Sequence, residues 1–309
     1  MMRFGIQVGH LGGPIEELRK LWRFADERGF DWFSVSDHFQ ETPGQGGGLP
    51  CFDSIATLTA AALETARVRV GCLVFCVSYR RPIVLAKALT AIDLLSKGRV
   101  TCGLGAGWHE PEYRAYGIPF PGAGTREDQL EEYTEVLRLL FDRDYADFSG
   151  EHYTLTHAPN FPKPAQKRLP VWIGGGGEKR TLRTAARHAD GWNVPYISPA
   201  EWKRKSAVLD SWCERAKRDP RAIARTVNVG FYMGADAAGA ARAADRFTKE
   251  WGAAETRTGF VRGTARDAAA TVAAYRDAGV EQLNIALRSG PYDWDALAAF
   301  AEDVMRQFR

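Results

Sequence analysis

Apolar and polar positions follow two alternating patterns along this chain. The apolar run FGIQVG (4–9) is typical of a short strand, because it is brief and is followed by a segment of different periodicity. Residues 14–28 place apolar side chains three and four positions apart on one helical face; these are Ile15, Leu18, Leu21, Trp22 and Ala25. The opening segment therefore predicts a strand followed by an amphipathic helix.

The same alternation recurs along the rest of the chain. Further strands are predicted at 32–36, 68–75, 99–105, 170–174, 191–194, 226–233 and 282–287. The helices that follow them are predicted at 52–65, 82–95, 125–141, 178–188, 199–217, 238–252 and 293–307. Helix-sized crossovers join parallel neighbouring strands. The pattern predicts one α/β domain over residues 1–309, folded as a (β/α)8 TIM barrel, with an open doubly wound sheet as the alternative.

Two insertions interrupt the alternation. The first, QETPGQGGGLPC at 40–51, follows the second strand. The second, 142–169, comes after the fourth strand and its helix, with a hairpin predicted in GEHYTLTHAP and an extended link in NFPKPAQKRLP. Long loops on a rigid scaffold commonly carry function. Gly44, Gly46, Gly47 and Gly48 in the first insertion predict a mobile lid.

The composition fits a globular protein and narrows the classes of partner. Of 309 residues, 45% are hydrophobic and 26% charged, and 41 basic residues nearly balance 38 acidic ones, giving a net charge of +3. This balance gives no electrostatic reason to expect a nucleic-acid or membrane partner. Because the five cysteines are odd in number and no secretory signal opens the chain, we expect free thiols in a reducing cytoplasm.

The chemistry of such barrels is found where strands end and helices begin. Ser36-Asp37-His38 follows the second strand, and a histidine there either faces the barrel mouth or is a structural residue satisfied by a neighbouring carboxylate. GLGAGWHE (103–110) follows the fourth strand, and its glycines allow a planar group to lie close to the backbone. This GxGxG spacing is a weak signal, because the GxGxxG dinucleotide fingerprint is absent.

A stronger signal follows the fifth strand, in VWIGGGGEKR (171–180). Four glycines lead into a predicted helix with Lys179, Arg180 and Arg183 at its start. Free backbone N–H groups, a positive helix end and nearby cations together make an anion site. Late strand loops commonly hold phosphate in barrels of this type. We interpret the glycines as a phosphate cradle, the alternative being a flexible turn.

Five segments of the chain resemble the bacterial luciferase-like superfamily, and within it the actinobacterial oxidoreductases that use coenzyme F420. They are FDWFSVSDHF (30–39), the long segment 68–120, TREDQLEEYTEVLRLLF (125–141), PVWIGGGGEKRTLRTAARHADGWN (170–193) and GTARDAAATVAAYRDAGVEQLNIAL (263–287). They occur in the same order and at spacing compatible with a barrel, and they span nearly the whole chain.

The resemblance implies a deazaflavin cofactor at the mouth of the barrel. It implies hydride transfer between C5 of coenzyme F420 and a small organic substrate, with His38 managing the proton. The implied cofactor-binding residues are Asp37, Cys72, Leu73, Val74, Gly105, Ala106, Gly107, Trp108, Gly175, Gly176, Gly177, Glu178 and Arg180. A non-prolyl cis peptide, implied between Leu73 and Val74, would back the ring.

The chain also departs from the sugar-phosphate dehydrogenases that it resembles. Those enzymes carry a glutamate directly after the first GxG of the fourth loop, where this chain has Ala106, and the nearest acid is Glu110. They also carry a tryptophan shortly after the site histidine, which is absent here. Glucose 6-phosphate oxidation is therefore not the expected reaction. Trp108 either walls an apolar pocket or packs under the cofactor.

Two other functions stay open at the level of sequence. One is an FMN-dependent monooxygenase, and the other is a non-catalytic flavin-binding barrel. If the reaction consumes the reduced cofactor, a separate flavin or F420 reductase is the expected partner. A basic rim for a polyglutamate tail, from Arg80, Arg81, Lys179, Arg180 and Arg183, favours F420. His109 with Glu110, and His152 with His157, lack the spacing of a metal site, so no metal is expected. The apolar faces of helices 82–95 and 125–141 belong either to ordinary packing or to a dimer interface, and a homodimer is expected because relatives are commonly dimers.

Overall fold

The computed structural model describes residues 1–9, 13–40, 48–252, 255, 257–288 and 290–309. Numbering all strands in chain order, eight form a closed barrel: β1 (Arg3–Val8), β2 (Trp32–Val35), β3 (Arg69–Cys76), β4 (Val100–Gly105), β7 (Val171–Gly174), β8 (Gly191–Pro195), β9 (Ala224–Met233) and β11 (Gln282–Leu287). Neighbouring barrel strands are parallel, and β9 closes the sheet by pairing with both β8 and β11. The predicted (β/α)8 barrel is confirmed, and the open sheet is excluded.

Helices surround the barrel and join its strands. They are α1 (Ile15–Glu27), α2 (Ser54–Glu64), α3 (Pro82–Leu95), α4 (Glu110–Ala115), α5 (Ala123–Asp142), α6 (Thr181–His188), α7 (Pro199–Arg215), α8 (Ala237–Trp251), α9 (Ala265–Ala278) and α10 (Trp294–Ala299). The helix predicted at 178–188 begins only at Thr181, because residues 178–180 form a turn. The helix predicted at 293–307 starts as α10 and continues through a π-helical turn, Phe300–Val304, into a 3-10 turn, Met305–Gln307.

One strand–helix unit was not among the predicted elements. The short strand β10 (Phe260–Gly263) pairs with the second half of β9, whereas the first half of β9 pairs with β11. Only Phe260 and Val261 of β10 are buried, and α9 is rich in alanine with few large apolar residues. The unit therefore lacks the apolar periodicity that identifies the others.

The second insertion contains the predicted hairpin, with wider bounds. Strands β5 (Tyr145–Ser149) and β6 (Thr154–Pro159) pair antiparallel, and the first strand lies entirely before the predicted segment, which begins at Gly150. The first insertion is described only at its ends. Gly44, Gly46 and Gly47 of the predicted lid lie outside the described residues.

The barrel interior has an aromatic part and an amide part. Trp32 and Trp172 stack with ring centroids 4.6 Å apart. Elsewhere Asn228 accepts hydrogen bonds from the side-chain amides of Asn193 and Asn284, at 3.0 and 2.9 Å. Buried amides that satisfy one another in this way hold strands β8, β9 and β11 in register. Among the helices of the described ranges, none combines the length and the apolar character needed to cross a membrane.

Candidate functional site

The strand ends that carry the predicted site residues are neighbours in the barrel. Strands β2, β3, β4 and β7 are consecutive in the sheet, and their parallel carboxyl ends therefore open at the same end of the barrel. The loops after β2, β4 and β7 supply His38, Trp108 and the glycine-rich segment, and the Leu73–Val74 bond lies within β3 near its carboxyl end. The sequence prediction that these junctions form one face is therefore consistent with the fold.

His38 is held by a carboxylate from α4. Its Nδ1 lies 2.8 Å from Oε2 of Glu112. The His38 side chain is 15% exposed, whereas that of Glu112 is completely buried. Because a helix after β4 delivers Glu112 to a loop after β2, this pair joins residues that are 74 positions apart in the sequence.

Glu112 accepts hydrogen bonds on both of its carboxylate oxygens. Tyr79 donates its hydroxyl to Oε2 at 2.6 Å, and the backbone N–H groups of Phe39 and Gln40 donate to Oε1. Burial alone would raise the pKa of Glu112. The hydrogen bond to His38, the charge of His38 and the hydrogen bond from Tyr79 together outweigh burial and lower this pKa. An ionised Glu112 is an acceptor only, so the proton of the neutral His38 ring is on Nδ1 and its basic atom is Nε2.

Asp37 belongs to a different set of contacts from its neighbour His38. It accepts hydrogen bonds from the Ser54 hydroxyl at 2.6 Å and from the Cys76 amide at 3.0 Å, and it pairs with Arg80 at 2.6 Å. Its side chain is 2% exposed and that of Arg80 13%. Asp37 thus ties the loop after β2 to β3 and anchors the backbone that carries His38.

Val74, near the carboxyl end of β3, forms the floor of the site. The Leu73–Val74 peptide bond is cis, as the resemblance implied, and the pairing of β3 with β4 shifts register between Cys72 and Phe75. A Cβ atom on Gly105 would overlap the Val74 side chain, and so would one on Gly174. These glycines therefore leave space for a side chain of the protein itself, and Val74 lies between the ends of β4 and β7.

The loop after β4 brings Trp108 to the mouth. Gly107 has φ +79°, and a Cβ atom there would overlap the hydroxyl of Tyr113. Trp108 is 59% exposed, and its ring meets that of His38 edge to face at 6.1 Å. Ala106 is partly buried and packs against the core. Trp108 therefore lies at the rim of the barrel mouth, beside His38.

Three of the four glycines at the end of β7 and in the loop after it have a clear physical reason. Gly174 makes room for Val74, and Gly175 has φ +128°, which only glycine adopts readily. A Cβ atom on Gly177 would lie 2.5 Å from the Thr181 hydroxyl. In the part of the chain that the structure describes, the amides of Gly176 and Gly177 donate to no protein acceptor. Bare, unpaired N–H groups beside a helix N-terminus fit an anion.

The side chains around this loop are mostly paired. Lys205 of α7 donates to the Gly176 carbonyl at 2.9 Å and to Glu178 at 3.1 Å, and its side chain is 13% exposed. Arg180 pairs with Asp128 at 2.6 Å and donates to the Gly124 carbonyl. Arg183 pairs with Glu131 at 2.7 Å.

Three of the five cations predicted for the basic rim have carboxylate partners. Arg80 is buried against Asp37, and Arg180 and Arg183 each face a carboxylate of α5. Sequence alone does not reveal these partners, and the role of the rim in binding a polyglutamate tail stays a prediction.

The thiols have the character of core residues. Burial raises the pKa of Cys76 to about 11, and burial also raises the pKa of Cys72 and Cys102. Across the described ranges no group of three or more His, Cys, Asp or Glu side chains is placed to hold a metal ion.

Helix-covered parallel barrels with polar side chains at the carboxyl ends of their strands are a class of enzyme scaffold. Within this class, the profile of the luciferase-like monooxygenase family matches residues 2–305, and the chain belongs to that family. An uncharacterized protein of Mycobacterium tuberculosis is 34% identical over 185 residues, which cover 55% of this chain and 64% of that protein. The F420-dependent glucose-6-phosphate dehydrogenase of Gordonia bronchialis is 31% identical over 217 residues, 69% of this chain and 63% of that protein.

The chain thus spans less than two thirds of the length of these curated relatives. Among solved structures, an F420-dependent secondary alcohol dehydrogenase bound to an F420-acetone adduct superposes with a TM-score of 0.87, covering 100% of this chain and 99% of that one. At 19% identity this likeness shows the fold alone.

Three residues of the site were missed by the sequence reasoning. Glu112 was passed over in favour of Glu110, which is exposed and paired with Arg114. Tyr79 and Lys205 come from segments with no motif of their own. Glu112 lies in the first turn of α4, a helix that was not among the predicted elements, and for Tyr79 and Lys205 we find no signal in the sequence.

Proposed function

We propose that this protein is a coenzyme F420-dependent oxidoreductase that acts on a small organic substrate. The observation that carries the chemistry is the His38–Glu112 pair at the open end of the barrel, with Nδ1 and Oε2 2.8 Å apart. The choice of cofactor is supported by the relatives at 31–35% identity whose names specify F420. When bound, the deazaflavin supplies or accepts a hydride at C5.

The residues present fit such a cofactor at two places. The unpaired amides of Gly176 and Gly177 would hold its phosphate, with Gly175, Glu178 and Arg180 shaping the same loop. The ring would lie among the residues at the ends of β3 and β4, against Val74, whose side chain fills the space that Gly105 and Gly174 leave. The surrounding residues are Cys72, Leu73, Val74, Gly105, Ala106, Gly107 and Trp108.

The role of His38 is to hold or move a proton at Nε2. Glu112 keeps the other ring proton on Nδ1 and stabilises the imidazolium when Nε2 is protonated, because the charge of the carboxylate lies 2.8 Å away. Trp108 shields the same histidine from solvent on one side. Asp37 acts on this step only through the backbone, since its carboxylate is occupied by Ser54, Cys76 and Arg80.

We further propose a substrate other than glucose 6-phosphate. Ala106 stands where the sugar-phosphate dehydrogenases that the chain resembles have a glutamate, and a methyl group moves no proton. A separate F420 reductase would regenerate the reduced cofactor if the reaction consumes it.

A second copy of the chain is the partner that we propose for the outer face of α3. Five of its solvent-facing residues are apolar and exposed; they are Ile83, Val84, Ala91, Leu94 and Leu95. Leu63 of the adjoining α2 is 59% exposed and extends this surface. A contiguous exposed apolar surface of this kind commonly marks a site of protein–protein contact. A two-fold dimer covers the same patch on both chains at once, which suits a surface with few charges.

The test is a titration of the purified protein with F420 and, separately, with FMN, followed by tryptophan quenching. Lys205→Ala and Arg180→Ala are compared with the wild type, and His38→Ala shows whether cofactor binding survives loss of the histidine. F420 binding that weakens in Lys205→Ala or in Arg180→Ala, and persists in His38→Ala, supports the proposal. Binding of FMN without binding of F420 would overturn it and direct the search to oxygen-dependent monooxygenation.

A further inference from the structure

We propose that Glu127 selects the charge of the anion at the glycine loop, so that the loop accepts a singly charged phosphodiester and disfavours a doubly charged phosphomonoester. The inference rests on the proposed function, because it concerns the same loop. Coenzyme F420 carries its phosphate as a diester, with one negative charge. FMN carries a monoester, with about −1.5 to −2 charges at pH 7.

Glu127 lies directly against the loop. Its Oε1 accepts a hydrogen bond from the Thr181 hydroxyl at 2.8 Å and is 3.8 Å from where a Cβ atom of Gly177 would be. Thr181 is the first residue of α6, so this carboxylate stands beside the end of the helix that would otherwise favour an anion. Its Oε2 is buried and has no hydrogen-bond partner within the described residues.

The negative charge of Glu127 is itself costly at this position, and a dianion nearby would add to the cost. Burial raises the pKa of Glu127, because its charge is poorly solvated there, although Thr181 and the charge of Arg180 act in the opposite direction. A second negative charge within a Debye length, about 8 Å at physiological salt, would add to this cost.

The nearby cations offset only one charge. Lys205 is shared with Glu178, Arg180 with Asp128 and Arg183 with Glu131. Of the cations in the loop and first helical turn that the structure describes, residues 176–183, only Lys179 has no carboxylate within 4.0 Å. Lys179 can offset one negative charge, and the carboxylate of Glu127 beside the loop leaves no cation to offset a second charge on the ligand.

The experiment measures the dissociation constants of four ligands by tryptophan quenching. They are F420, FMN, riboflavin and 8-hydroxy-5-deazariboflavin, the last two lacking the phosphate. The test variant is Glu127→Gln, which keeps an acceptor for Thr181 and removes the charge. The matched control is Glu135→Gln on the same helix, eight residues and therefore about 12 Å further along its axis.

In the wild type we expect FMN to bind no more tightly than riboflavin. In Glu127→Gln we expect FMN to tighten roughly tenfold more than F420 does, since removal of a like charge helps a dianion more. In the control, the FMN-to-riboflavin and FMN-to-F420 ratios of dissociation constants should equal those of the wild type. The FMN-to-riboflavin ratio in the wild type is measured without any variant, so the inference stays testable if Glu127→Gln does not fold.

The outcomes separate the two proposals. F420 binding with an FMN-to-F420 ratio that Glu127→Gln does not change would overturn the role of Glu127 and leave the proposed function standing. A wild type that binds FMN much more tightly than riboflavin, and does not bind F420, would overturn both.

Discussion

At the scale of single residues, the carboxylate of Glu112 determines what His38 can do. Both its oxygens accept hydrogen bonds, and one of them contacts Nδ1 of the histidine at 2.8 Å. A carboxylate in this position fixes the tautomer of an imidazole. Sequence could identify His38, because it follows a strand, but not its partner, because Glu110 and Glu112 differ only in which way α4 turns them.

Replacing Glu112 by Gln should therefore change which ring nitrogen of the neutral His38 carries the proton. We expect a mixture of ring tautomers in Glu112→Gln, where the wild type has its proton on Nδ1, and a loss of turnover of about 10²-fold once a substrate is known. Nitrogen chemical shifts of the histidine ring, followed against pH, report the tautomer directly. Glu110→Gln, the same change on the exposed side of α4, should leave these shifts as they are. Identical histidine spectra in the two variants would refute the assignment.

The floor of the site makes a second prediction at this scale. Gly105→Ala places a methyl group against Val74, and overpacking of this kind costs about 1–3 kcal/mol. Thermal unfolding measures the loss. Adding Val74→Ala removes the methyl groups that clash, so the double variant should lose less stability than the two single losses added together. Gly122→Ala is the control, because a Cβ atom there meets no neighbour within 4 Å. Additive losses would show that Val74 is not the obstacle.

At the scale of elements, α5 and α6 are joined by the carboxylate of Glu131. His188 at 3.9 Å, together with Arg183 and Arg187, lowers the pKa of Glu131 to about 2 although its burial acts the other way. The ordinary value is 4.5. A pKa that is lower in the folded chain stabilises the fold above about pH 4.5, and this contribution is lost as the pH falls toward 2.

The change Glu131→Gln should remove this pH dependence. At pH 7 the variant should be less stable by up to about 3 kcal/mol, the equivalent of the pKa shift. Near pH 2 the difference from the wild type should become small, because the wild-type carboxyl is then about half protonated and most of its contribution to stability has been lost. Urea unfolding at both pH values, beside Glu135→Gln, checks this. An equal loss at both pH values would mean that Glu131 stabilises by packing alone.

The elements were predictable where apolar spacing is strong. The eight barrel strands and most helices were found within a few residues, since a buried strand reads as a short apolar run. The start of α6 was placed at 178 because sequence spacing gives no sign of the turn that ends at Arg180. The unit β10 and α9 was missed, because alanine packs against a barrel without marking a clear apolar face.

At the scale of the whole molecule, closure of the barrel brings together residues that are far apart in sequence. His38, Tyr79 and Glu112 come from three different strand–helix units. The alternation of elements was sufficient to predict the closed fold, and with it the end where chemistry is expected. Which side chains pair at that end depends on the orientation of loops and of α4, and sequence periodicity does not encode either.

The apolar surface on α2 and α3 makes a prediction about assembly. Placing two negative charges on it, in Leu94→Glu with Leu95→Glu, should convert a dimer into monomers, because the charges would be buried and unpaired. Sedimentation velocity measures the mass in solution. The control is Ala238→Glu, on the exposed first turn of α8, where an acid suits the helix end. A monomeric wild type would rule out the dimer.

The pairing of the cations around the mouth also bears on how fast a charged ligand arrives. Arg80, Arg180, Arg183 and Lys205 each lie next to a carboxylate, so their fields largely cancel a few ångströms beyond the surface. Attraction over longer distances needs an excess of one sign of charge. An anionic ligand should therefore reach this mouth by unassisted diffusion, and its association rate constant should stay nearly constant as salt is raised. Ionic strength should act mainly on the dissociation rate constant.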